Sequence, residues 1–133
     1  MSVLQMRLVV EAPDYDEAVR FYRDVLGMRE ELAVSGPDGA QVTILDAGRA
    51  TLELANPAQK RYIDEVEVGR PVAPKFRLAL EVGDVPGMTH RLVEAGATLI
   101  AEPTETPWRS LNARLDAPAG VQLTLFQELP QPG

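Results

Sequence analysis

The chain has 133 residues, 45% of them hydrophobic and 25% charged, and its 13 Lys and Arg against 20 Asp and Glu leave a net charge of -7. That is one domain's worth of protein, able to bury roughly two-thirds of its unfolded surface without a disulfide or metal staple. The acidic balance argues against nucleic acid, whose binding begins with a concentrated basic surface, and removes the polybasic attraction to anionic lipid. The absence of cysteine excludes disulfides, thiolate metal sites, iron–sulfur clusters and cysteine nucleophiles. One histidine, His90, cannot supply a multi-histidine metal site within one chain. No apolar run approaches the ~18 residues of a membrane span, and the N-terminus lacks the basic and apolar regions of a signal peptide. The expected location is cytoplasmic.

Gln5 to Glu11 (QMRLVVE) is apolar and β-branched, which suits a strand. From Asp14 the period changes, because Ala18, Phe21, Tyr22, Val25 and Leu26 recur at helical spacing on one face. Asp14 followed by Glu17 reads as a capping box, and Gly27 is placed to end the helix in the left-handed conformation. Strand-like runs follow at Arg29 to Ser35, Ala40 to Asp46 and Arg49 to Ala55, separated by Gly-, Pro- and Asn-containing turns. A charged connector bracketed by Pro57 and Pro74 comes next, with a short helix conceivable around Gln59 to Val66. The first pattern then restarts. Lys75 to Val82 is strand-like, Asp84 to Ala95 is helical and closed by Gly96, and strands are expected at Thr98 to Ala101, Leu111 to Asp116 and Val121 to Gln127.

The restart is a repeat. Arg7, Leu8 and Glu11 recur as Arg77, Leu78 and Glu81, Asp14 as Asp84, Gly27 as Gly96, and Leu52-Glu53-Leu54 as Leu123-Thr124-Leu125, at an offset of about seventy residues throughout. The expected architecture is α+β: two βαβββ modules, 5–55 and 75–127, joined by a connector at 56–74 and pairing into a cup-shaped mixed β-sheet with the helices outside.

Asp14, Ala18, the run Phe21-Tyr22-Arg23-Asp24-Val25-Leu26-Gly27-Met28, Leu52-Glu53-Leu54, Val82-Gly83-Asp84, Glu94-Ala95-Gly96-Ala97 and Asp116-Ala117-Pro118-Ala119-Gly120 together resemble the signature of the vicinal oxygen chelate superfamily. This superfamily includes glyoxalase I, extradiol dioxygenases, fosfomycin-resistance enzymes and bleomycin-resistance proteins, so the resemblance speaks for fold more than for activity. Members that use a metal carry one ligand on the first and one on the last strand of each module. Carried over, those positions are Arg7, Glu53, Arg77 and Thr124, of which only Glu53 suits a divalent cation. No metal and no cofactor are therefore expected, and metal-dependent glyoxalase or dioxygenase activity is disfavoured.

Strand alternation independently turns the arginines inward: Arg7 shares a face with Glu53, and Arg77 with Thr124. Arg114 points into the same cup, and Trp108 stands ready as an aromatic wall at its rim. The proposed ligand-binding set is Arg7, Arg77, Arg114, Trp108 and Thr124. Two readings of Arg7 and Glu53 stand side by side, contact with a ligand or an ion pair between neighbouring strands; Arg77, opposite Thr124, lacks such a carboxylate. The expected function is metal-free binding of a small polar or anionic organic molecule. The alternative is an enzyme, lyase or dioxygenase-like, acting on a small carbonyl or hydroxy compound with Glu53 as catalytic general base. Family resemblance also implies a homodimer. Off the apolar face of its helix, His90 reads as a solvated side chain.

Overall fold

The structure, a computed structural model, describes residues 5, 7–51, 53 and 55–130. Asp14 caps the first helix through its side chain, which accepts from the Glu17 N–H at 3.1 Å. Helix α1 (Tyr15–Val19) runs on as a π-helical turn (Arg20–Val25), and the apolar stripe read from the sequence delivers Ala18 and Phe21 to the interior. Gly27 follows with φ +80°, and Gly96 ends the second apolar helix with φ +110°; both take the left-handed conformation that the repeat asks of them.

Strands β1 (Glu30–Ser35) and β2 (Gln41–Leu45) form an antiparallel hairpin, closed through a 3-10 turn at Pro37–Gly39. The strands expected over 5–11 and 49–55 are not strands among the described residues. In the second half the corresponding pair is held by Leu78 and Leu80 against Leu123 and Leu125; here the counterparts Leu8 and Val10 are exposed, while Met6, Leu52 and Leu54 lie outside the described residues.

The connector is a helix, α2 (Pro57–Glu67), longer than the sequence suggested. Asn56 caps it by accepting from the Gln59 N–H at 2.8 Å, and Pro57 occupies the first turn, where a missing N–H is harmless. Beyond it come β3 (Leu78–Glu81), α3 (Val85–Glu94), β4 (Thr98–Glu105), β5 (Ser110–Ala117) and β6 (Val121–Glu128). These form a four-stranded mixed sheet in the order β3-β6-β5-β4, with β3 parallel to β6 and the other pairs antiparallel. The second half is thus βαβββ, as the repeat required.

Alternation along β5 and β6 divides this sheet into two unlike faces. One carries Ala113, Leu115, Leu123 and Leu125, all fully buried, packed with Val85 and Leu92 of α3 and with Phe21 from the first half. Burying each leucine contributes about 1.5–3 kcal/mol, and this face is the core. The other face is polar, with Asn112, Arg114, Gln122 and Thr124, and it is buried as well. Among the described residues no helix is long and apolar enough to cross a membrane.

Candidate functional site

A polar sheet face that is also dry needs a cover with matching polar groups. Helix α2 is that cover. Asp64 and Glu67, three residues apart and so on one side of the helix, point onto the sheet and are 3% and 4% exposed. Arg114, fully buried in the middle of β5, meets both: Nη1 donates to Asp64 Oδ1 at 2.8 Å, and Nη2 donates to Glu67 Oε1 at 2.9 Å. Its Nη1 also donates to Gln122 Oε1 at 2.9 Å. The planar guanidinium suits this role, because its fork of donors can satisfy several acceptors while keeping its charge.

The network spreads from there. Asn112 Nδ2 donates to Glu67 Oε2 at 2.8 Å, and Ser110 Oγ donates to Asn112 Oδ1 at 2.7 Å. In the other direction Gln122 Nε2 donates to the Val72 carbonyl at 3.2 Å, and the N–H groups of Val72 and Ala73 both donate to Asp64 Oδ2 at 3.0 Å. Burial works against ionisation of Asp64, but the Ala73 N–H, the Arg114 guanidinium and the Val72 N–H outweigh it and hold the carboxyl below the usual carboxylate range.

Arg77, just before β3, differs from Arg114. It is half-buried, and Nη1 donates to Thr124 Oγ1 at 3.0 Å, while no described carboxylate lies within ion-pair distance. Burial and then the neighbouring Arg114 charge push its pKa down, against the pull of the Glu67, Glu53 and Asp64 carboxylates. Arg77 therefore carries a charge on a partly dry surface with, among the described residues, only a neutral hydroxyl in hydrogen-bond contact.

The other expected site residues fall in different places. Thr124 is buried beneath Arg77. Arg7 and Glu53 are both exposed and make no ion pair with each other, so the neighbouring-strand pairing is not formed. Trp108 lies in the β4–β5 turn, 6.0 Å between ring centroids from Tyr62 of α2, and both rings are about half exposed. Elsewhere on α2 a cavity of about 390 Å³ opens between the helix and the segment that follows it, lined by Lys60, Arg61, Asp64, Pro71 and Val72 among others. His90 is exposed on α3, as expected, near Glu94.

Asp64, Glu67, Asn112 and Gln122 were not anticipated from the sequence. A signal did exist, since two carboxylates three residues apart, Asp64 and Glu67, each directly follow an apolar residue of the connector, Ile63 and Val66. Nothing in the linear pattern, however, says that this side faces Arg114.

A family model, the glyoxalase-like domain, matches residues 7–126. The chain belongs to the glyoxalase-like domain family. Its fold is similar to that of TnmS3, an antibiotic binding protein from Streptomyces sp. CB03234, at 23% identity and a TM-score of 0.61 over 96% of this chain and 98% of that one. It is also similar to a glyoxalase-related enzyme from Fulvimarina pelagi, at 18% identity and a TM-score of 0.57 over 94% and 88%. No curated protein matches the sequence.

Family membership raises the question of a metal, and the residues in place do not fit one. Of the four ligand positions that the resemblance implies, Arg77 donates a hydrogen bond to Thr124, Arg7 is a cation, and Glu53 alone is a carboxylate. Among the described residues no group of three His, Asp or Glu side chains could hold a metal ion.

Proposed function

We propose that this glyoxalase-like protein binds a small polar or anionic organic molecule without a metal, at the part of the polar sheet face around Arg77 and Thr124. The observation that carries the reading is the Arg77 guanidinium, partly dehydrated and matched in hydrogen-bond contact, among the described residues, only by a hydroxyl. A carboxylate or phosphate would complete it through two parallel charge-assisted hydrogen bonds. Trp108 and Tyr62 supply exposed aromatic surface beside α2 for a planar body. Arg114 contributes to the same face, though its direct partners are the chain's own carboxylates. The description of TnmS3 as an antibiotic binding protein supports binding as a use of this fold. Turnover through Glu53 gains no comparable support, because that carboxylate is exposed and has no hydrogen-bond partner among the described residues.

Trp108 fluorescence, titrated with a panel of small carboxylates and phosphate esters, tests this. Arg77→Ala should weaken the best ligand about tenfold or more, the loss of one or two charge-assisted bonds. Arg91→Ala, on the exposed side of α3, should leave affinity unchanged. A lowered melting temperature for Arg77→Ala with unaltered affinity would make this arginine scaffold and sink the proposal.

The reading extends to a cytoplasmic homodimer of two-module chains, with modules at 5–55 and 75–127. Leu32, Val34 and Val42 lie on one face of the β1–β2 hairpin, each about half exposed, which supports a second copy covering them. Sedimentation at micromolar concentration should give twice the chain mass, and a clean single-chain species would defeat the dimer.

A further inference from the structure

Helix α2 is held to the sheet in an unusual way. Of its side chains only Ile63 is both apolar and buried; the others it buries are the two carboxylates, Asp64 and Glu67. Its ends are set off by the Asn56-Pro57 turn on one side and by Gly69, at φ +88°, followed by Arg70 and Pro71 on the other. The sheet beneath it has its own apolar core on the opposite face, shared with α3 and Phe21 and independent of α2. Large apolar contacts resist local opening, whereas a buried ion pair adds little net stability relative to its hydrated parts.

We propose that α2 is a displaceable cover over the polar sheet face, with Arg114 as its catch. In the closed state Asp64 and Glu67 occupy the guanidinium, and an acidic group could occupy it in their stead. The carboxylates of the cover stand where a second anionic group of a ligand would bind, so opening exposes Arg114 beside Arg77. The inference rests on the binding reading for its purpose, but its test needs no ligand. Such a cover resolves the conflict between a site that must be dry to bind tightly and one that must be reached from water.

Hydrogen exchange of the intact chain decides the matter. The amides of Arg61 to Glu67 should exchange on the order of tenfold or more faster than those of β5 and β6, through an opening that depends weakly on denaturant. Glu67→Gln removes one charge from the catch and should quicken α2 exchange further, while β5 and β6 stay near wild type. Exchange of α2 only with global unfolding, or acceleration of β5 and β6 in step with α2, would make the network plain scaffold and overturn the proposal. Should Glu67→Gln fail to fold, the denaturant dependence in the wild-type chain still separates the two cases. Arg77→Ala should leave α2 exchange at its wild-type rate, so failure of the cover and failure of the anion site are distinguishable.

Discussion

Arg114→Ala is expected to destabilise the fold by about 3–5 kcal/mol, because it strands Asp64 and Glu67 as buried anions without their cation. The loss comes from the groups left behind more than from the pairs themselves. Neutralising all three, as Arg114→Met with Asp64→Asn and Glu67→Gln, should therefore recover much of the stability, a strongly non-additive result. Chemical denaturation of the three single variants and the triple variant measures it. An Arg114→Ala protein within about 1 kcal/mol of wild type would mean that water already reaches the network and screens it.

Leu123→Ala should cost about 2–5 kcal/mol on the opposite face of the same sheet. Leu123 is fully buried, and β6 is an inner strand flanked by β3 and β5, so the cavity has little freedom to collapse. Leu32→Ala deletes the same atoms from a hairpin position that is 50% exposed and should cost the isolated chain well under 1 kcal/mol. Urea midpoints for the two variants give the contrast directly. Near-equal losses would place the core elsewhere.

What the sequence revealed depended on whether a signal was local. The cap at Asp14, the stripe through Phe21, the glycines closing both apolar helices and the alternation in β5 and β6 each lie within a few residues, and each is found in place. The repeat carried the second half's order of strands and helix and the adjacency of its first and last strands; that these two run parallel comes from the structure. The site was legible only by side. Alternation put Arg77, Thr124 and Arg114 on one face, but it could not say that Arg114 is already engaged. Its partners come from α2, a segment that reads as charged linker because its two buried carboxylates look like any solvated helix face until the sheet is laid beneath them.

The order of the strands also bears on how the chain acquires its structure. Strands β4, β5 and β6 are joined by tight turns and pair as successive hairpins, contacts that chains form quickly because little loop must be closed. Strand β3 is different: Leu78 lies against Leu123, so its partner is the last strand of the sheet to be made. During synthesis β3 leaves the ribosome first and waits, its apolar Leu78 and Leu80 uncovered, until β6 follows. The slowest and most aggregation-exposed interval of folding therefore falls between those two strands, and the short length of β3, four residues, keeps that waiting edge small.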